Sequence, residues 1–426
     1  MIDCTLDTPG ITDVPGFTCA GVACNIRGKD DGRLDLTLIY SAEPCTASGV
    51  FTQSDLQAAP VKVCREHLKK GKAWHGIVAN SGNANACTGQ VGVADARAIA
   101  QTAARLLGLP QEAIFVSSTG IIGVPLPRDR LLAGVHQAIL TQSTKPQAGY
   151  QAVKAILTSD TCPKSLTARF SWQGQPVTLG AIAKGGGMIQ PNMATVLVFL
   201  ATDARVPTPL LQRMLTNAVG QSFNRISVDG DMSTNDTVLV LANGLSQVTI
   251  PDDATTPLYQ NFVEALSQVC HLLAEMIVAD DARMTKVVEV NIVHASSNAA
   301  AEKVARAIAN SPLVKTSWYG NDPNWGRIVH AAGYAGIGLQ EHRLDLSYHS
   351  RSRHPCLVAR GPLDRAEPVS IAVLKKGQAQ WQHKVLWKSV VSRKHFGVTL
   401  DLHLGSGTFS MLSNDLSPNY LHTSNT

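Results

Sequence analysis

The chain has 426 residues, with 37 Lys and Arg against 32 Asp and Glu, a formal charge of +5, and 44% hydrophobic against 16% charged residues. That apolar fraction excludes disorder as the dominant state, and at ~100–200 residues per domain the length allows several domains or one large α/β unit with a full core. The mild, dispersed positive charge offers no nucleic-acid surface, and no apolar run reaches the ~18–20 residues of a membrane helix. Between Met1 and Arg27 the acids Asp3, Asp7 and Asp13 stand where a secretory signal would need a basic start and an apolar centre, so a cytoplasmic protein is expected. Leu34, Leu36, Leu38 and Tyr40 alternate after the turn Gly28-Lys29-Asp30-Asp31-Gly32, as in a half-buried strand. Val93–Leu107 reads as a helix stopped by Gly108 and Pro110. Thr208-Pro209 reads as the N-cap and first turn of a helix through Leu215 to Val219. Tyr259, Phe262, Val263, Leu266, Val269, Leu273 and Ile277 keep helical spacing, and Val288, Val290 and Ile292 alternate again. Strands and helices thus alternate along one architecture without repeats, which is the pattern of an α/β or α+β fold. From Gln340 to Thr426 the texture is more polar and less regular, and this part is read as a more variable lobe.

Nine cysteines at scattered positions, an odd number with no C-x-x-C, predict reduced, structural thiols and neither a disulfide framework nor a thiolate metal site. Several polar, glycine-rich stretches read as loops that bring backbone N–H groups near a ligand: Asn80–Asn85, Ser118–Gly120, Lys184–Met188, Asp229–Asp236 and Gly320–Arg327. Asp229-Gly230-Asp231 with Asn235-Asp236 fails the spacing of a calcium loop and lacks its terminal Glu, and no zinc-type histidine pair is present, so no metal site is expected. Gly185-Gly186-Gly187 is followed by no Lys-Ser or Lys-Thr, which removes a P-loop.

The richest stretch runs from Ala183-Lys184 through three glycines and Pro191-Asn192 to Ala194-Thr195, then into the apolar Val196–Leu200. A threonine opening a buried strand is ordinarily a satisfied β-branched residue. A second reading needs the small residue before it and a segment that can be strained. If the Thr195 hydroxyl attacked the carbonyl of Ala194, an N→O shift would give an ester that water cleaves, freeing the Thr195 α-amine. With a reference pKa near ~8, that amine would be partly unprotonated and able to take the proton of its own hydroxyl.

These residues resemble the ornithine acetyltransferases, also called glutamate N-acetyltransferases of the ArgJ type. The likeness covers roughly residues 15–340 and is carried by Asn80–Gly89, Ser118–Gly123, Leu157–Thr161, Lys184–Thr195, Val228–Thr237 and Gly320–Arg327. It implies an α/β layered sandwich of the ArgJ/DmpA type, N-terminal-nucleophile-like, cut between Ala194 and Thr195 into fragments 1–194 and 195–426 that stay associated, two copies of each forming a heterotetramer. It further implies that Thr195 carries an acetyl group from N2-acetylornithine to glutamate, with acetyl-CoA accepted by some members and no metal or cofactor. Thr119 and Gly120 match the oxyanion-hole positions, while Thr158, Lys184 and Thr195 match substrate contacts; no nucleic acid or membrane partner is implied.

Two stretches depart from the family pattern. Where members read Asp-Gly-Glu-Gly-Ala-Thr-Lys, this chain has Asp280-Asp281-Ala282-Arg283-Met284-Thr285-Lys286, so a carboxylate that would meet the amino part of the substrate is Ala282. The tail ends Ser424-Asn425-Thr426, with Ser424 in place of the family Asn when aligned without a gap. Two alternatives stay open from the sequence: a paralogue acylating or hydrolysing another amino acid or amine, and an inactive binding relative.

Overall fold

The computed structural model describes residues 2–189, 196–280, 284–351, 357 and 369–423, without the side chains of 421–423. They fall into two units, Met1–Asn224 with Asp231–Ala274, and Arg225–Gly230 with Glu275–Thr426. The first unit supplies β1 (Asp3–Leu6), β2 (Phe17–Val22), β3 (Leu36–Phe51), β4 (Trp74–Asn83), β5 (Ile114–Ile121), β6 (Lys164–Trp172), β7 (Gln175–Lys184), β8 (Leu197–Thr202) and β9 (Thr237–Ala242). The alternation read from Leu34 to Tyr40 begins, at Leu36, a strand of 16 residues; Leu36–Ile39 are buried on both faces and not half-buried, because neighbours cover them on each side. That length lets β3 serve two sets of neighbours: Leu36–Tyr40 pairs with β2 and β4, and Thr46–Phe51 pairs with β9. The order is β1-β6-β7-β8-β9-β3-β4-β5 with β2 beside β3. Two pairs are parallel, β8 with β9 and β4 with β5.

Parallel strands in such a sheet are buried on both faces and need covering helices. The helices α1 (Ala59–Lys70) and α2 (Gly89–Leu107) pack on β5, while α3 (Arg128–Thr141) and α4 (Pro146–Ala155) pack on β2 and β3. Gly108 ends α2 as expected, at φ +70, and Leu109 N donates to Ala104 O at 2.8 Å, closing orphan carbonyls that the last turn would otherwise leave. Thr208 does not cap the next helix. In α5 (Thr208–Gln221) it is the first helical residue, the cap position is Pro207, and no side chain bonds there. Proline at the second position still begins the helix, because its missing N–H is one that no helix would satisfy.

In the second unit, β10 (Val287–Ala295) lies between β14 (His395–Asp401), parallel to it, and β15 (Gly407–Asn414), antiparallel. The sheet continues through β11 (Asp345–Ser350), β12 (Ser370–Lys375) and β13 (Gln378–Ala379). Ser297 caps the helix Asn298–Asn310 by accepting from Ala300 N, and Ala301, Val304, Ala305, Ile308 and Ala309 form its buried stripe against β10 and β15. The region from Gln340 onward, read as irregular, carries regular strands: β11 to β15 are five of the six strands of this sheet. Its polar texture reflects half-covered antiparallel strands, in which alternate residues face outward.

Two expected loops are also strand. Asn80–Asn83 ends β4 and Ser118–Gly120 lies in β5. Small polar residues sit there because these are the carboxyl ends of two parallel strands, where open α/β sheets place ligands.

Candidate active site

At the ends of β4 and β5 the buried polar side chains satisfy one another, as burial requires. Ser118 Oγ donates to Asn80 Oδ1 at 2.7 Å, Asn80 Nδ2 to Asn83 O at 3.0 Å, and Ser81 Oγ to Ala155 O at 2.9 Å. The ladder slips by one residue at Gly82 and Asn83, opposite Thr119, Gly120 and Ile121. Gly120 has φ +136, and a Cβ there would lie 2.3 Å from the Gly82 carbonyl carbon and 2.5 Å from Asn83 N. Only glycine fits a backbone that approaches its neighbour this closely.

Lys184, the last residue of β7, sends its ammonium to this corner. Its Nζ donates to Thr119 Oγ1 at 3.3 Å, and both residues are buried. A buried ammonium needs a counter-charge, and Asp160 supplies it. Asp160 Oδ1 accepts from Lys164 Nζ at 2.9 Å and from Gly185 N at 2.6 Å, while Oδ2 accepts from Thr158 N at 3.2 Å. The Lys164 and Asp160 side chains are wholly enclosed. Burial alone would push the Asp160 carboxyl up; the charges of Lys164 and Lys184 and the donated hydrogen bonds outweigh it and hold the group well below the usual carboxylate range. The Thr158 carbonyl accepts from Arg33 at 2.7 Å, so the loop of Thr158 is pinned from both sides.

On the opposite side, Asn235 and Asp236 precede β9. Asn235 Nδ2 donates to Ala84 O at 2.6 Å and to Ser118 O at 2.8 Å, one residue before Thr119. Asp236 Oδ1 accepts from Val196 N at 3.2 Å, and Thr237 N donates to Val196 O at 3.0 Å. The two adjacent side chains therefore set the spacing between the end of β5 and the start of β8. Asp236 is buried, and burial pushes its carboxyl well above the usual range despite the Val196 N–H, the Lys184 charge and the hydrogen bonds of Ser233.

The structure thus brings together Thr119, Gly120, Lys184 and the loop of Thr158. Ala194, Thr195, Ala282, Ser424, Asn425 and Thr426 lie outside the described residues. Asp160, Lys164, Asn235 and Asp236 are the working neighbours that sequence reasoning leaves without roles. Their types, carboxylate and amide inside glycine-rich stretches, were visible; the partners that define them are distant in the chain. Of the Gly320–Arg327 group, Arg327 donates to Leu313 O at 2.8 Å and Asp322 Oδ2 accepts from Asn324 Nδ2 at 3.1 Å, so both stitch the turn between two helices of the second unit.

The model of the ArgJ family matches residues 18–425. This chain belongs to the ArgJ family. The arginine biosynthesis bifunctional protein ArgJ of Symbiobacterium thermophilum is 46% identical over 339 residues, 79% of this chain and 83% of that protein. The protein of the same description from Caldanaerobacter subterraneus is 40% identical over 406 residues, 95% of each chain. Among solved structures, ornithine acetyltransferase of Mycobacterium tuberculosis complexed with ornithine shares 33% identity, with a TM-score of 0.41, covering 46% of this chain and 100% of that one. The ArgJ resemblance read from Asn80–Gly89 through Gly320–Arg327 is borne out. No helix among the described residues is long and apolar enough to cross a membrane.

Proposed function

We propose that the chain is a self-cleaving acetyltransferase of arginine biosynthesis, moving the acetyl group of N2-acetylornithine through Thr195 to glutamate and also accepting acetyl-CoA as donor. The observation that carries this reading is the buried Lys184–Thr119 hydrogen bond beside Gly120, in the same cluster in which Asp236 holds the N–H of the residue after Thr195. A fixed cation and donors in a closed, water-poor corner favour a developing oxyanion.

In the self-cleavage step, Thr195 Oγ attacks the Ala194 carbonyl carbon and loses its proton, and the peptide C–N bond breaks as its nitrogen gains one, a net transfer of the hydroxyl proton to the new amine. Asp236, which accepts from the N–H of Val196, the residue after Thr195, is suited when protonated to lend the amine its proton and to take up the one the hydroxyl loses. Water then hydrolyses the ester, releasing Ala194 as a carboxylate and Thr195 as a free α-amine. During turnover the amine takes the Oγ proton as Oγ attacks the acetyl carbon, and the donor amine leaves with that proton; the glutamate amine then attacks the acetyl ester, and its proton passes through the Thr195 amine to Oγ, which leaves as the hydroxyl. Lys184 and the loop of Thr158 meet the substrate, the lysine through a carboxylate.

The bond from Ala194 to Thr195 lies between β7 and β8, antiparallel neighbours in which Lys184 pairs with Leu197. A break there leaves the fragments 1–194 and 195–426 joined through one sheet, which supports a stable α/β pair; two such pairs make the proposed heterotetramer. Cys19, Cys24, Cys45, Cys64 and Cys270 are buried thiols, in keeping with a reducing cytoplasm. Ala282 favours a second reading, a paralogue whose amine substrate needs no carboxylate at that position.

Denaturing electrophoresis and intact mass of the purified protein should give two pieces, the second beginning at Thr195. Incubation with acetylornithine should release ornithine only when glutamate is present, with a transient mass gain of one acetyl on the second piece. An uncut, unacetylated chain overturns the reading, and activity confined to other acetylated amino acids selects the paralogue.

A further inference from the structure

Three adjacent strands of the second unit, β11, β14 and β10, bring ligand-type side chains to one end of their sheet. Asp345, which opens β11, stands directly opposite Asp401, which closes β14. Beside Asp401 on the other side is Val293 of β10, so His294 is the next residue along. His403 follows Asp401 by two positions. His294 Nδ1 lies 2.7 Å from Asp401 Oδ2, His403 Nδ1 lies 3.5 Å from Asp401 Oδ1, and His403 Nε2 lies 3.0 Å from Asp345 Oδ2. One ligand atom from each of His294, Asp401 and His403 falls within 4.8 Å of the other two.

We propose that His294, Asp401 and His403 bind a divalent transition-metal ion of the Zn2+ type, with Asp345 holding His403 from behind. Two imidazoles and one carboxylate are a donor set suited to zinc, nickel or copper, whereas calcium and magnesium take oxygen donors. With bonds of about 2.0–2.2 Å, tetrahedral donors stand roughly 3.3 Å apart, and the three donors, already within 4.8 Å of one another, draw together on the ion. The histidine nitrogens facing Asp401 take the ion, and His403 Nε2–H donates to Asp345. That carboxylate–histidine arrangement fixes the tautomer and raises ligand basicity. Three protein ligands leave a fourth position to solvent.

Two further features support a built site over a chance surface network. Both histidines have left-handed backbones, φ +52 at His294 and +49 at His403, conformations that side-chain-bearing residues seldom adopt and that gather at ligand sites. His294 is held there by its carbonyl, which accepts from Leu404 N at 2.7 Å and Gly405 N at 3.0 Å. The rings then stack with centroids 6.1 Å apart and planes 16° from parallel. In addition, two carboxylates directly opposed across a strand pair repel, and a dication between the strand ends offsets them.

Metal-free protein titrated with Zn2+ against a chromophoric chelator should show one equivalent bound. His294→Ala and His403→Ala should each weaken binding at least tenfold, and Asp345→Asn by roughly 10–100-fold, the usual size of an outer-shell effect. Cu2+ in the wild-type protein should give an electron paramagnetic resonance spectrum with two nitrogen couplings, a readout that needs no variant to fold. Absence of a one-equivalent site, unchanged Zn2+ affinity in the His294→Ala/His403→Ala double variant, or a Co2+ spectrum with thiolate charge-transfer bands overturns the proposal.

Discussion

Lys184 Nζ stands 3.3 Å from Thr119 Oγ1, with both side chains enclosed by the protein. That contact ties a residue at the end of β7 to the proposed oxyanion position on β5, and it separates two jobs for the lysine. If Lys184 only binds a substrate carboxylate, Lys184→Met raises KM and leaves kcat unchanged. If it also sharpens the donor role of Thr119, kcat falls as well. The second outcome is expected. Thr119→Ala should lower kcat by about 100–1000-fold, the usual loss of one oxyanion donor, while Thr119→Ser should retain most activity. Steady-state kinetics of acetyl transfer check all three.

Gly120→Ala should fail before chemistry is reached. Its methyl would lie 2.3 Å from the Gly82 carbonyl carbon, at φ +136, so β4 and β5 must separate where Thr119 is held. Thermal unfolding should show a lower Tm, and intact mass should show uncut chain. A variant that is cut and active at wild-type rate would remove Gly120 from the site.

Asp160→Asn should destabilise the first unit strongly. The change leaves Lys164 and Lys184 buried without their shared anion, and breaking a buried pair in this way costs about 3–5 kcal/mol. Its pKa is depressed in the folded chain, so its contribution is present above the unfolded carboxylate value near ~3.9 and disappears as pH falls through the lower folded value. Urea denaturation should therefore show the wild-type advantage over Asp160→Asn intact at pH 7 and shrinking in strong acid. An equal difference at every pH contradicts the assignment.

Asp236 has the opposite sign. Burial raises its pKa, so the folded protein holds a proton that the unfolded chain has lost, and stability falls as pH rises from near ~4 toward the raised value. Asp236→Asn, an uncharged mimic, should flatten that part of the pH profile and gain stability over wild type at higher pH. The same variant should be cut more slowly, as read by intact mass over time, because its amide cannot lend the proton. Wild-type cleavage rates in Asp236→Asn would leave the carboxyl with a structural role alone.

Local chemistry made much of this protein legible before any coordinates. The alternation at Leu34–Tyr40, the α2 stop at Gly108, the long helix through Tyr259–Ile277 and the strand at Val288–Ile292 each depend on neighbours a few residues away, and each is present. Motif order from Asn80 to Arg327 was enough for the family. Tertiary structure alone decided that Asn80–Asn83 and Ser118–Gly120 are strand ends, that Asp160 is the anion shared by Lys164 and Lys184, that Asn235 and Asp236 gauge β5 against β8, and that His294 meets His403. Partners such as Lys184 and Thr119, 65 positions apart, or His294 and Asp401, 107 apart, leave no periodicity in the chain. Charge burial and donor geometry depend on which strands become neighbours, and that is settled by the packing of the whole sheet.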